Sequence, residues 1–256
     1  RHVQAIRDYL EAEGVSKATV NRYYSALSKI MKYAKEREDI YGLEKIPHIG
    51  WEKEDNERKR FVDEDEEKEM TRIMTAKGKT DFLDYFYFVM DTGLRRREAS
   101  DLVVDDIKTD ELSKQRYIYL TKTKNGEDRT VPLCKRAEEI FDKYAAGKSK
   151  TDKLFQLNYW TIGNEWNRMR AIMGLEEDKT FTLHALRHTF ASRLAQRGVD
   201  FHKISVLMGH KTLAMTKRYS HLKPKHTFSV VNVLDSDREN NDSHTVTKLP
   251  IDKRIP

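Results

Sequence analysis

The 256-residue sequence holds a single cysteine, Cys134. One thiol excludes an internal disulfide and fits a reducing compartment. No apolar run approaches the roughly 20 residues that a membrane span needs, which argues against a membrane protein. No secretory pattern opens the chain. There is no internal repeat and no low-complexity tract. His184 and His188 stand four apart, as a helical zinc pair would. The glutamate of that motif is missing and no cysteine cluster backs it, so neither metal nor cofactor is expected. Acids are scarce in one region: from Thr180 to Lys225, Asp200 stands alone against nine lysines and arginines.

What is present is charge. Charged residues make up 35% of the chain, hydrophobic residues 38%, and the net charge is +6. The length suits one large domain or two smaller ones, with a core that needs no covalent staples. Most of the positive surplus falls in the acid-poor stretch, and a concentrated basic surface attracts polyanions such as DNA.

The patterning predicts helices first. "HVQAIRDYLEAEG" places Val3, Ile6 and Leu10 on one stripe and stops at Gly14. The next helix starts from a Ser16 cap, with a stripe of Val20, Tyr23 or Tyr24, Leu27, Ile30 or Met31, and Ala34. Its other face carries Lys17, Arg22, Lys29, Lys32 and Lys35. "WEKEDNERKR" has little apolar content and reads as an exposed linker. A new unit begins at Phe61, with Asp63 as a helix cap. "DFLDYFYFVMDTG" is apolar nearly all round and predicts a buried helix ending at Gly93. A short helix follows it. "QRYIYLTKTKNGEDRTVPL" predicts a hairpin turning at Asn125-Gly126. Helices near Lys135–Tyr144, Thr161–Met173, Phe201–Met208 and Ala214–Ser220 complete the pattern. "TFTLHALRHTFASRLAQRG" predicts an amphipathic helix with Leu186, Phe190 and Leu194 towards the core. The expected division is 1–50, a partial helical domain; 51–60, a linker; 61–225, a second domain; and 226–256, a polar tail around an apolar patch at Phe228, Val230, Val231, Val233 and Leu234.

Cleaving a phosphodiester without a metal requires planar guanidiniums on the non-bridging oxygens, a nucleophile and a proton donor. The sequence supplies such a set. Arg95 follows a glycine at a helix end, with Glu98 placed to orient it. Lys124 stands at the hairpin turn, with Lys122 on the same strand face. His184 and Arg187 open the quoted helix, whose backbone N–H groups also favour an anion. His210 and Tyr219 follow in "LMGHKTLAMTKRYSH". The rival tyrosines 23, 24, 41, 85, 87, 117, 119, 144 and 159 lie mostly in apolar stripes or strands and read as packing.

"TGLRRREASDL", "HALRHTFAS" and "LMGHKTLAMTKRYSH" resemble the three catalytic boxes of the tyrosine recombinases, the phage-integrase family. They stand in the family's order and spacing. "KNGEDRTVPL" looks like its lysine hairpin and "RFVDEDEEKEM" like the start of its catalytic domain. The likeness runs from about Arg60 to Lys225, and weakly through the first helical domain. It implies a mainly α fold with a small antiparallel β-sheet, preceded by a short helical DNA-binding domain.

The implied activity is site-specific cleavage and rejoining of DNA through a 3′-phosphotyrosine, with a type IB-like topoisomerase or an inactive DNA-binding relative as alternatives. The resemblance assigns Arg95 and Arg187 to the scissile phosphate and Lys124 to the leaving 5′ oxygen. It assigns His184 to proton transfer near the tyrosine, His210 to the phosphate and Tyr219 to attack. Glu98 and His188 support them. Lys17, Arg22, Lys29, Lys32 and Arg218 are expected on DNA. Expected partners are duplex DNA with specific recombination sites, further copies of the chain as a tetramer, and accessory DNA-bending proteins. The expected place is the cytoplasm of a bacterial or archaeal cell, at the nucleoid, for a host or viral gene. The chain opens on Arg1 and its first domain has room for two or three helices, so an upstream segment is expected, including any arm-binding domain.

Overall fold

A computed structural model describes residues 2–37, 42, 45–53, 60–121 and 128–222. The hairpin turn with Lys122 and Lys124, and the tail with its apolar patch, lie outside the described residues. The chain divides into two compact units, Arg1–Arg58 and Lys59–Pro256. Among the described residues no helix is long and apolar enough to cross a membrane.

The first unit contains α1 (His2–Ala12) and α2 (Lys17–Glu36). The Ser16 side chain accepts the Thr19 N–H and so caps α2, as its sequence predicts. The stripe resolves to Val20 and Tyr24, both buried, while Tyr23 and Ile30 are exposed. Leu10 and Ile49 join this small core. One expectation fails here. Ile6 lies at the surface rather than in the stripe. The supposed linker begins anchored: the Asn21 amide exchanges two hydrogen bonds of 2.9 Å with the Glu52 backbone. Trp51 stands edge-on to Tyr24, and Arg7 pairs with the Glu52 carboxylate at 2.5 Å. A polar stretch reads as linker only until its charges find fixed partners.

The second unit contains α3 (Glu64–Ala76), α4 (Thr80–Thr92), α5 (Arg96–Asp101), β1 (Ile107–Thr109), β2 (Arg116–Leu120), β3 (Arg129–Pro132), α6 (Lys135–Ala145), α7 (Tyr159–Ile172), α8 (His184–Gln196), α9 (Phe201–Met208) and α10 (Ala214–Lys217). Asp63 and Glu66 form a capping box at the start of α3. The strands make one antiparallel sheet in the order β1-β2-β3, with Ile118 opposite both Ile107 and Val131. β1 escapes a reading of the sequence, because a three-residue edge strand shows too little alternation to stand out. Buried α4 packs against α3, α6 and α8. Its Phe86 stacks edge-on with Trp166 of α7, which in turn meets Phe181 just before α8.

The largest departure from expectation is α8. It is buried nearly all round, at Ala185, Leu186, Arg187, His188, Thr189, Ala191, Ser192 and Ala195, whereas Phe190 and Leu194 are only partly buried. The reason is that it serves two cores. Ala185 and Leu186 complete the main core with α4 and α7. Ala191 and Ala195 form a second cluster with Ile204, Met208 and Tyr219. Small residues let neighbouring elements approach on every side, so no clean apolar stripe is needed. The Thr189 hydroxyl donates to Ala185 O and accepts the Val62 N–H, both at 2.8 Å, tying the entry of the unit to this helix.

Candidate active site

Two helix ends build the site. α4 and α9 both stop on glycines in the left-handed region, Gly93 (φ 64°) and Gly209 (φ 59°). Such stops leave carbonyls without intrahelical partners. Arginines take them. The Arg187 guanidinium, reaching out of α8, donates to Gly93 O through Nη1 and to Met208 O through Nη2. Arg95, just past Gly93, donates from Nη2 to Gly209 O at 3.2 Å. Its Nη1 donates to Glu98 Oε1 and its backbone N–H to Glu98 Oε2, both at 2.7 Å. Glu98 therefore orients Arg95 as its spacing predicts. Both guanidiniums retain further N–H donors.

A third guanidinium was not anticipated. Arg129, the first residue of β3, pairs with Glu98 at 2.7 Å. Its only sequence signal is its place in "KNGEDRTVPL", where it reads as an ordinary strand charge. Burial pushes the Glu98 carboxyl up, but the bonds and charges of Arg129 and Arg95 outweigh it and hold the group below the usual carboxylate range. Arg95 and Arg129 thus share one carboxylate, and all three guanidiniums meet at the Met208–Gly209 turn. Burial, followed by the charges of Arg95 and Arg129, pushes Arg187 down to about 9. It remains a cation at neutral pH, in surroundings that an added anion would relieve.

Tyr219 follows α10 and is buried at 3% exposure in the second cluster. Its hydroxyl and His188 Nδ1 share a 2.5 Å hydrogen bond. The imidazole on the tyrosine belongs to His188, and His184 stands exposed on the first residue of α8 with its ring edge-on to His188 at 4.7 Å. Position along the helix explains the difference, since residues four apart share a face. His188, one turn further along α8, is level with the cluster that holds Tyr219, while His184 sits at the exposed end of the same face. Burial, followed by the charges of His184, Arg218, Arg187 and His210, pushes His188 down to about 3. Burial raises Tyr219 to about 12 against the opposing pull of Arg218 and Arg187. At neutral pH the pair is therefore a phenol and an uncharged imidazole.

His210 follows the α9 cap. Its Nδ1 lies 2.7 Å from Thr216 Oγ1, and burial, Arg187 and Arg218 push it down to about 4. Arg218, next to Tyr219, donates from Nε to Met215 O at 3.0 Å. Lys17, Arg22, Lys29 and Lys32 are all exposed on α2 in the other unit. Among the described residues, no group of three or more His, Cys, Asp or Glu could hold a metal ion.

A mainly helical domain with one small sheet, carrying these arginines and a buried tyrosine near its end, is the tyrosine-recombinase architecture. The model of the phage integrase family matches residues 60–226, and the chain belongs to that family. It is 28% identical over 215 residues to the tyrosine recombinase XerA of Saccharolobus solfataricus, covering 84% of this chain and 67% of that protein. It is 30% identical over 168 residues to a tyrosine recombinase of Pseudothermotoga lettingae, covering 62% of this chain and 56% of that protein. The fold is similar to that of the XerH site-specific recombinase in a post-cleavage complex with palindromic difH substrate. There the TM-score is 0.67 at 20% identity, over 91% of this chain and 71% of that one.

Proposed function

We infer that the second unit cleaves and rejoins DNA at specific sites by two successive transesterifications. The observation that carries this reading is a cluster of three guanidiniums, in which Arg95 and Arg129 pair with the single carboxylate of Glu98 and Arg187 reaches the adjoining Met208 carbonyl. That leaves positive charge in surplus in a largely buried site, ready for one phosphodiester. Arg95 and Arg187 hold the non-bridging oxygens, and His210 donates a further hydrogen bond. The Tyr219 oxygen attacks phosphorus and its proton passes to His188. The bond from phosphorus to the 5′ oxygen breaks, and Lys124 gives that oxygen a proton. The product is a 3′-phosphotyrosine ester and a free 5′ hydroxyl. Attack by a 5′ hydroxyl from a second strand reverses the chemistry and joins the new pair. Because guanidiniums supply the charge that a metal ion would otherwise supply, cleavage should persist in saturating EDTA.

The substrate is duplex DNA, with Lys17, Arg22, Lys29 and Lys32 on one exposed helix face and Arg218 beside the nucleophile as its contacts. Exchange between two duplexes requires several copies of the chain, and we assign a tetramer on paired sites, with accessory DNA-bending proteins as further partners. The test is adduct capture. The protein is incubated with a library of nicked random-sequence duplexes, covalent complexes are recovered, and both the DNA and the modified residue are mapped. A shared DNA motif and a phosphate ester on Tyr219 are expected. Tyr219→Phe should bind the recovered motif with unchanged Kd and yield no adduct. Adducts with no shared motif, together with supercoil relaxation, would instead favour a topoisomerase. A normal adduct yield from Tyr219→Phe would end the assignment.

A further inference from the structure

Arg129 lies outside every group that the chemistry above uses, yet its side chain is only 4% exposed. A guanidinium leaves water only for strong partners. Its partner is Glu98: Nη2 donates to Oε2 at 2.7 Å and Nη1 to Oε1 at 3.2 Å. Meanwhile Arg129 Nε is buried with no hydrogen-bond partner among the described residues. The pose is therefore set by the fork on the carboxylate, at the expense of the Nε donor. Those same two oxygens hold the Arg95 side chain and backbone. Arg129 also lies against Gly209, where an added Cβ would stand 2.7 Å from its Nη1. The carbonyl of that glycine is the other anchor of Arg95. Arg129 therefore touches both groups that fix Arg95.

We propose that Arg129 is a positioning residue for strand cleavage: by gripping Glu98 and bracing the Gly209 turn, it holds Arg95 in the pose that meets the scissile phosphate. This rests on the reading of Arg95 as a phosphate ligand. Arg129 couples the sheet, through one side chain, to α5 and to the cap of α9. Without it, Glu98 is left with one cation instead of two, and Arg95 loses the brace behind both of its anchors.

The experiment compares two linkages in the DNA motif recovered with the wild-type protein. One duplex carries the normal phosphodiester at the scissile position and the other an uncharged methylphosphonate. Correct placement of Arg95 matters far less where no charge has to be gripped. A displacement of about 1 Å at a reacting centre can cost on the order of 10²-fold. Arg129→Gln is expected to lose roughly that factor in single-turnover cleavage of the phosphodiester. It should retain DNA affinity and stay within about threefold of wild type on the methylphosphonate, where misplacement of the clamp has little left to act on. Arg129→Lys, which keeps the charge and one prong, should recover part of the loss. If Arg129→Gln melts below the assay temperature, Arg129→Lys carries the same comparison, with about a tenfold loss expected on the phosphodiester alone. Equal losses on both linkages, or no loss on the phosphodiester, would overturn the proposal. Arg95→Lys run alongside keeps the two ideas apart: if its loss is the same on both linkages, the reading of Arg95 fails rather than the role of Arg129.

Discussion

At Arg187 burial and function pull in opposite directions. The guanidinium is 2% exposed and surrounded by like charge, which costs stability, and the Gly93 and Met208 carbonyls and the nearby Glu98 carboxylate offset it in part. Lysine keeps the charge but cannot span both carbonyls and a phosphate together. Arg187→Lys should therefore slow single-turnover cleavage by on the order of 10²-fold or more, as loss of an oxyanion donor does. Cleavage near the wild-type rate would place the clamp elsewhere. A second residue-scale consequence concerns acid. His188 and His210 are held uncharged in the folded protein down to about 3 and about 4, against an ordinary value of 6.5. Between those limits the unfolded chain binds more protons than the folded one, so stability falls as pH drops from about 6.5 towards 4. Above that window both states are neutral and the effect vanishes. Thermal melts of His188→Gln across this range should show a shallower acid loss than wild type. The exchange of His184 for His188 belongs at this scale too. Both imidazoles stand in "HALRH" on one helix face, and no spacing rule tells which one meets the tyrosine until the level of Tyr219 along α8 is known.

Among the elements, α8 and the glycine caps carry the architecture. Gly93 is in the left-handed region, and a Cβ there would stand 2.5 Å from the Phe190 ring. Gly147 has a similar backbone, φ 75°, with nothing within 4 Å of an added Cβ. Both substitutions to alanine incur the backbone penalty, about 1 kcal/mol. Gly93→Ala adds an overlap that the packed ring must relieve, typically about 1–3 kcal/mol more. Denaturant melts should thus rank Gly93→Ala well below Gly147→Ala, and equal losses would show that Phe190 moves freely. The ends of α4 and α9 are legible in sequence because glycine marks them. That their free carbonyls would be satisfied by Arg187 and Arg95 is not, since both partners are brought in from distant parts of the chain.

For the molecule as a whole, charge is divided between units. α2 presents Lys17, Arg22, Lys29 and Lys32 to solvent in the first unit, while the arginine cluster is enclosed in the second. The enclosed charges act on one phosphate and the exposed ones on the DNA backbone in general. Each phosphate contact changes the slope of log K against log salt by about 0.9 on duplex DNA. Replacing the four α2 residues with alanine should flatten that slope by up to about four such steps while leaving cleavage at saturating protein nearly unchanged. An unaltered slope in anisotropy titrations would show that this helix face lies away from DNA.

What the sequence determined by itself is local or ordered along the chain. The Ser16 and Asp63 caps, the buried α4 with its glycine stop, the β2–β3 pairing and the succession of basic boxes depend on neighbours a few residues away. The order of the boxes was enough to point to the family. What only the tertiary structure decided depends on distance through space. Helix α8 is buried on nearly every side because two cores meet on it, so its amphipathic stripe misleads. Arg129 becomes part of the arginine cluster because β3 passes beside Glu98, 31 positions away in sequence. His188 rather than His184 receives Tyr219 because both share one helix face and only the folded chain sets Tyr219 level with the second.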